Sequence, residues 1–382
     1  MTNNLLPRLE EEGTFTSPKE IVAELIRRER AAQNLLDFAR FLDPHYVAFP
    51  LHALLARKLE DIEAGRIRRL AIFIPPAVGK SRIASEFFPA WCFGRTPTME
   101  FIGTSYSFDL VKGFGKKVRN LLLDPRYQMV FPGVTVASDA RAMDSWQTSK
   151  GGEYKAEGVG GGLIGFHGHV AVIDDPLKNY KEASSPDYCE QMWNWYTTTL
   201  LNRLRSYKDG PGAVVLIMQR WTHIDLGGRI SALSKKGEEK WDILSIPSIA
   251  EEADPLGRAP GEPLLPEGPN RRTLEELNSI QAKNPRLFLS LHQQKPITDQ
   301  GDVFHTGWLR LNRWEEFPTQ LALYGSSDFA FTEGGGDYTV HIVFGLDKAK
   351  EIWLIYGGKL HRVCLRPLKT FLTQLASNFR LE

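Results

Sequence analysis

The apolar positions of this chain fall into two rhythms. Short apolar runs at 70–74, 98–104, 170–173, 213–218 and 241–246 read as buried strands. Between them, 82–93, 108–123, 186–205 and 224–233 mix apolar and charged residues at helical spacing. Strand alternating with helix over 66–250 predicts an α/β unit with a parallel sheet and covering helices. Upstream, in an N-terminal helical region at 1–65, the segments 20–32 and 51–64 read as amphipathic helices, with turn signals at Asp43-Pro44 and Phe49-Pro50 between them. The stretch 251–269, rich in Pro, Gly and acids, opens a connector spanning 251–317 and reads as a linker or extended arm, followed by a short helix at 273–283. A β-rich unit then occupies 318–382, with strands at 321–328, 338–346 and 351–356 and a helix at 368–378.

Composition narrows the class. With 382 residues, 42% hydrophobic and 24% charged, the chain has the makings of a large globular core. A formal net charge of +1 excludes a global basic field, so any grip on nucleic acid must come from local clusters. Candidates are Arg66, Arg68 and Arg69, then Lys112, Lys116, Lys117 and Arg119, then Arg203, Arg205 and Lys208. Phosphate contacts and merely solvated helix faces are alternative readings of each. The three cysteines, Cys92, Cys189 and Cys364, are isolated and share no metal-ligand spacing, which points to a reducing compartment. Neither a signal peptide nor an apolar run of bilayer length is visible, so no membrane role is expected.

The candidate chemistry begins at Ile74-Pro75-Pro76-Ala77-Val78-Gly79-Lys80-Ser81. A buried strand precedes it and a helix follows, the context in which a glycine-containing turn cradles phosphate. Pro76, Ala77, Val78, Gly79, Lys80, Ser81 and Arg82 would line the phosphates. Lys80 would reach the β- and γ-phosphates of ATP, and the Ser81 hydroxyl would ligate Mg²⁺. The first position, where the common loop has glycine, is occupied by Ile-Pro-Pro. The strand Val170-Ala171-Val172-Ile173 ends in Asp174-Asp175-Pro176. Asp174 is assigned to Mg²⁺ and Asp175 to the attacking water. Glycines at 158, 160, 161, 162, 165 and 168 suggest a mobile loop near the site or a plain surface loop. The strand 213–218 leads to Gln219-Arg220-Trp221 at the sheet edge, where open α/β folds bind ligands. Gln219 is placed as a sensor of γ-phosphate or water, and Arg220 as the relay to the next helix or an Arg-Trp pair stacked at the surface.

Taken together, these stretches resemble the large terminase subunit of tailed bacteriophages, the motor that packages DNA. The resemblance is carried by the Pro-Pro phosphate loop, by Ala171-Val172-Ile173-Asp174-Asp175-Pro176-Leu177-Lys178, and by Met218-Gln219-Arg220-Trp221-Thr222-His223-Ile224-Asp225-Leu226-Gly227-Gly228-Arg229. It continues through Leu291-His292-Gln293-Gln294-Lys295-Pro296, like the segment that joins ATPase to nuclease. Ser327-Asp328-Phe329-Ala330 and Asp337-Tyr338-Thr339-Val340 are similar to the opening of that family's nuclease. The implied fold is a P-loop ATPase with a parallel central sheet, followed by the beginning of a ribonuclease H-like domain. The implied activity is ATP hydrolysis driving double-stranded viral DNA into a procapsid, in the host cell cytoplasm. The implied partners are a small terminase subunit, the portal protein and further copies of the chain in a ring. The catalytic set becomes Lys80, Asp175, Gln219 and Arg220.

Two positions depart from the pattern: the catalytic acid is the short Asp175, and the loop holds Ala77 and Val78 where many relatives carry arginine. Arg203, Arg205 and Arg220 are the candidates for a triggering arginine. In the nuclease half, the resemblance gives Mg²⁺ or Mn²⁺ ligands at Asp328 and Asp337, while the family's later acids are missing before the chain stops. The expectation is therefore of a fragment with an incomplete nuclease. A helicase-like translocase and a nucleotide-gated DNA-binding scaffold remain as alternatives.

Overall fold

Strands form at all five predicted runs of this region, and three more, at 136–141, 145–148 and 153–158, form where none was predicted. They are β1 Arg69–Phe73, β2 Glu100–Ser105, β3 Val136–Arg141, β4 Ser145–Thr148, β5 Glu153–Gly158, β6 Val170–Asp174, β7 Ala213–Met218 and β8 Asp242–Ser245. Their order across the sheet is β3-β4-β5-β2-β6-β7-β1-β8. From β5 to β8 every neighbouring pair is parallel. The expected parallel sheet is thus extended into a mixed one, because β3 and β4 run antiparallel as a wing. The computed structural model describes residues 17–297, apart from 164 and 269, and then 318, 320–328, 339–348 and 352–360.

The wing has no continuous apolar run. Its β5 alternates, with Tyr154 and Ala156 buried between more polar neighbours, as a strand does when one face meets the core. Tyr154 stacks between Trp146 of β4, with centroids 5.2 Å apart, and Phe101 of β2, 5.9 Å apart. These aromatic contacts join the wing to the parallel part.

Residues of the central strands divide by parity. Leu70, Ile72, Val170, Val172, Val215 and Ile217 enter one buried cluster, whereas Ala71, Phe73, Ala171, Ile173, Val214 and Leu216 enter the other. Both sheet faces are covered, which is why these strands read as unbroken apolar runs.

The first cluster also holds the N-terminal helices α1 Pro18–Gln33, α2 Leu35–Leu42 and α3 Pro50–Glu63. Helix α1 starts in a capping box between Ser17 and Glu20. Helix α2, which the turn signals around it obscured, buries Leu35, Phe38, Ala39, Phe41 and Leu42. The helix expected at 82–93 starts as a π-helical turn, Arg82–Phe87, and becomes α4 Phe88–Arg95. Pro89 has no N–H to give and would clash with the carbonyl four residues back, and the wider turn avoids that clash.

Helix α5 Phe108–Leu123 covers the expected range, and short helices α6 Pro125–Val130 and α7 Tyr180–Ala183 follow. The helix expected at 186–205 is α8 Pro186–Asn194, continued by a π turn, Trp195–Leu200, and a 3₁₀ turn, Leu201–Arg203. Thr197 and Thr198 turn their hydroxyls onto carbonyls of the preceding turn, which weakens the regular α ladder there. Then come α9 Leu226–Lys236, α10 Leu274–Lys283 and α11 Pro285–Leu291. No helix among the described residues is long and apolar enough to cross a membrane.

Two units divide the chain, 1–299 and 300–382, and their boundary falls within the expected connector. The start of that connector folds back onto the sheet edge: Ser248 gives its N–H to His292, Leu264 to Ser248 and Arg272 to Leu265. The second unit contains β9 Ala322–Asp328, β10 Thr339–Leu346 and β11 Ile352–Leu360, antiparallel in the order β11-β10-β9. Asp328 closes β9 as expected, and Asp337 and the helix at 368–378 lie outside the described residues.

Candidate active site

Strand β7 lies between β6 and β1, so three segments leave the sheet side by side at its C-terminal edge. These are the loop after β1, the aspartates ending β6, and Gln219-Arg220 after β7. The sequence places the site residues far apart along the chain, and the strand order brings them together.

Lys80 is the hub. It is buried, and its Nζ donates to Asp175 Oδ1 at 2.8 Å and to Gln219 Oε1 at 2.6 Å. Beside it, Asp174 accepts from Ser81 Oγ at 3.1 Å and from Ser85 Oγ at 2.6 Å, one hydroxyl for each carboxylate oxygen. Ser81 and Ser85 sit at and within the start of the π turn, so that turn serves the site as well as Pro89. Burial pushes the Asp174 carboxyl up to about 7, the neighbouring Asp175 charge adds to the rise, and Lys80 opposes it.

Strain gathers at the same point. Asp175 has φ +45° and Ala77 φ +61°, both in the left-handed region that L side chains avoid. Asp175 also precedes Pro176, a further restriction. Its backbone is held from both sides: its N–H goes to Ile217 O at 2.9 Å and its carbonyl receives Tyr106 N–H at 3.2 Å. Gly79, at φ +83°, has no room for a side chain, since an added Cβ would lie 2.9 Å from His52 Nε2.

His52 escaped the sequence reading. It sits on α3, almost fully buried, and its Nε2 donates to Val78 O at 2.9 Å in the phosphate loop. Its Nδ1 accepts from Phe49 N–H at 3.0 Å, so the ring is neutral with its proton on Nε2. Burial lowers its affinity for a second proton. The turn signal before α3, with a histidine three residues after Phe49, was the available clue.

Other candidates are drawn elsewhere. Arg82 pairs with Asp43 at 2.5 Å and lies over Tyr46 and Phe87, toward the N-terminal helices. Arg220 does not meet Lys80: its guanidinium donates to Asp225 Oδ1 at 3.0 Å and to Thr222 O at 3.1 Å, over the ring of Phe73. Asp225 caps α9 and also receives N–H groups from Trp221, Thr222 and Gly228. Gly228 is required there, because a Cβ would meet His223 O at 2.0 Å. Arg205 pairs with Glu100, the first residue of β2, and the Arg203 carbonyl accepts from Gly168 just before β6, so both sit at the opposite end of the sheet. None of the three candidate arginines reaches Lys80 within this unit.

The glycine-rich loop is anchored by Leu163 and Phe166, both buried, and by Trp195 Nε1 on Gly161 O at 3.3 Å. Several arms of the basic clusters are already paired: Arg66 with Asp61, Arg69 with Glu239, Lys117 with Glu86 and Lys208 with Glu63. A small recess lies against the phosphate loop at Pro75, Pro76, Ala77 and Val78, lined also by Leu264, Leu265, Arg272 and His292. The chain beyond β8 therefore forms part of the site's wall.

The residues around Asp174 fit a hard divalent cation. The donors are oxygens alone, one carboxylate and one serine hydroxyl, which suits Mg²⁺ completed by phosphate and water. Ser105 Oγ, on the strand that pairs with Asp174, is buried without a hydrogen-bond partner, an unfilled donor site at this edge. Among the described residues no group of three or more His, Cys, Asp or Glu side chains converges on one point, and Asp328 alone represents the expected second metal site.

No curated protein matches the chain. Among solved structures, the large terminase of a thermophilic bacteriophage in complex with ADP is similar over 85% of this chain and 74% of its own, at 10% identity and TM-score 0.37. The complex of that large terminase with ATP-γ-S gives the same coverage and identity at TM-score 0.36. A mutant ATPase domain of the Thermus phage P74-26 large terminase is similar over 66% of this chain and 95% of its own, at 14% identity and TM-score 0.40. The family described as terminase large subunit, T4likevirus-type, N-terminal, matches residues 71–310, well over half of the chain. The chain belongs to that large terminase family.

Proposed function

We propose that this chain is the ATP-hydrolysing motor subunit of a viral terminase, and that its first unit is the ATPase. The observation that carries the reading is Lys80 shared between Asp175 and Gln219, with Ser81 on Asp174 alongside. Without nucleotide, Lys80 is neutralised by Asp175. ATP offers its terminal phosphate oxygens to the same ammonium group, which releases Asp175 and Gln219 toward the attacking water. Gln219 orients that water and Asp175 takes its proton as the oxygen bonds to phosphorus and the bond to ADP breaks. The left-handed backbone of Asp175 directs its short side chain, and the two flanking hydrogen bonds hold that conformation. Ser81 and Asp174 would hold Mg²⁺, which when bound neutralises charge on the phosphate oxygens.

The motor reading extends to the partners of the family: double-stranded DNA, a small terminase subunit, and the portal and procapsid on which copies form a ring. The three candidate arginines stay away from Lys80, so none of them supplies the triggering charge in this arrangement. The second unit is proposed as the opening of a metal-dependent endonuclease, with Asp328 as its first ligand and Asp337 as a further candidate.

ATP turnover measured with and without double-stranded DNA tests the reading. The expected result is turnover stimulated by DNA, with that stimulation falling steeply as salt rises. Lys80→Ala and Asp174→Ala are expected to abolish turnover. Undiminished hydrolysis in either variant would overturn the site, and hydrolysis indifferent to DNA would overturn the motor.

A further inference from the structure

Two adjacent glutamines after α11 carry buried side chains that point to different strands. Gln293 closes on the segment after β8: its Oε1 accepts from Ile249 N–H and its Nε2 donates to Ile249 O, each at 3.1 Å. Gln294 reaches the end of β7 instead. Its Oε1 accepts from Arg220 N–H at 3.0 Å, and its Nε2 donates to Leu291 O at 2.5 Å. Only 5% of Gln294 is exposed, and its backbone sits at φ +57°.

The position of that contact matters. The parallel ladder between β1 and β7 runs out at Met218, whose carbonyl accepts from Ile74 N–H at 3.1 Å. Gln219 follows with its side chain on Lys80, and Arg220 follows that with its guanidinium on Asp225. Past the ladder, the peptide between Gln219 and Arg220 keeps its orientation through the Arg220 N–H, and the acceptor for that N–H is Gln294. Rotation of this peptide swings the Gln219 side chain away from Lys80. A non-glycine residue in the left-handed region is costly, and here that backbone accompanies a side-chain amide wedged between two elements.

We propose that Gln294 is a positioning residue for ATP hydrolysis: by holding the Gln219–Arg220 peptide it keeps the Gln219 amide aimed at Lys80 and the attacking water. The chain beyond β8 then acts on the chemistry through one hydrogen bond to the site. The proposal rests on the ATPase reading above and adds a residue to it.

Steady-state kinetics on the whole chain test it. Gln294→Leu keeps a branched side chain, one atom shorter, and removes the acceptor; the expected result is a kcat for ATP about tenfold lower with KM unchanged. Gln294→Glu restores an acceptor for Arg220 N–H and is expected to recover most of that kcat. Gln293→Leu breaks the neighbouring clamp at comparable burial without touching Arg220, so it should lower the melting temperature yet keep kcat per folded molecule. Gln294→Met and Gln294→Ala repeat the comparison with other volumes, should the leucine variant not fold. Wild-type kcat in the folded Gln294→Leu, Gln294→Met or Gln294→Ala variants overturns the proposal, as does an equal loss of kcat in Gln293→Leu. A wild-type chain that binds ATP without turnover overturns the ATPase reading itself, a separate result.

Discussion

Two cation–carboxylate pairs stand at the same edge of the sheet, with nearly equal lengths and opposite designs. Lys80 meets Asp175 at 2.8 Å and Arg220 meets Asp225 at 3.0 Å. Asp225 is fully buried, and three backbone N–H groups besides Arg220 fill its oxygens. Asp175 keeps 23% of its side chain exposed and stands on a strained backbone. A saturated pair has nothing to exchange, so it braces the turn between β7 and α9. An open, strained pair can trade its partner for a substrate phosphate. Ion pairing alone therefore does not mark a site; the remaining hydrogen-bond capacity does.

Paired substitutions break or confirm this contrast. Asp175→Asn is expected to retain ATP binding and thermal stability while turnover falls by about 10²–10⁴. Asp225→Ala leaves Arg220 and three N–H groups buried without their acceptor and is expected to cost about 3–5 kcal/mol of folding stability. Urea unfolding and a nucleotide-binding assay on both variants read the two effects separately. Loss of ATP binding in Asp175→Asn, or a stable but inactive Asp225→Ala, would reverse the roles assigned to the pairs.

Asp174 sharpens the comparison, because its environment favours the neutral acid. Its ordinary value is 3.8 and its folded value about 7, so between them the folded state holds a proton that the unfolded chain has released. Stability contributed by this group is therefore present at low pH and lost as pH rises through that window. Asp174→Asn is expected to remove the slope and to raise nucleotide-free stability at neutral pH by about 1–3 kcal/mol. Melting curves at several pH values check this, and an unchanged slope in the variant would refute it. With magnesium and nucleotide the wild type should recover the difference, since a cation favours the charged carboxylate.

The fold's parallel half was legible because strands buried on both faces write themselves as apolar runs, and 213–218 matches β7 residue for residue. The wing of β3 and β4 was not, since its two strands are largely polar and β4 is placed by Trp146 packing on Tyr154. Lys80, Asp175 and Gln219 were legible as chemistry and the strand order brings them together, whereas Arg220, read as a relay to the next helix, and Arg82, read as a phosphate residue, are held by Asp225 and Asp43. An arginine's type says what it can bind, and only the fold says which carboxylate is nearest. His52 and Gln294 left little trace because their function depends on backbone groups, Val78 O and Arg220 N–H, which no side-chain motif records.

His52 yields a smaller effect on the same loop. Burial holds its folded pKa below the ordinary 6.5, so the stability it lends is complete above that value and is lost as pH falls toward the folded one. Protonation forces Nδ1 to carry a hydrogen and ends its acceptance from Phe49 N–H, loosening α3 against the phosphate loop. The groups packed on the ring, Tyr46 and Phe49, carry no charge in this range to oppose that. Gln supplies one donor and one acceptor without titrating. The expected outcome is a KM for ATP that rises about fivefold on acidification in the wild type and stays level in His52→Gln. Parallel acid limbs in both would remove His52 from the loop's support.

The smallest effect concerns Ala77, which bears the left-handed strain of the loop without contributing a donor side chain. The left-handed region costs a non-glycine residue about 1–2 kcal/mol, while glycine adds about 0.5–1 kcal/mol of unfolded-chain entropy. The first term exceeds the second, so Ala77→Gly is expected to stabilise the nucleotide-free fold by about 0.5 kcal/mol. The same change widens the conformations open to the loop, so ATP should bind slightly more weakly even as the melting temperature rises. Asp175, the other strained residue, should answer differently: Asp175→Gly relieves its backbone in the same way but leaves buried Lys80 without its carboxylate and removes the base, so turnover vanishes and no net stability is gained. If Ala77→Gly instead lowers the melting temperature, the φ of +61° is not a source of strain in this loop. The distinction between a strained residue that reacts and one that only shapes the loop would then rest on Asp175 alone.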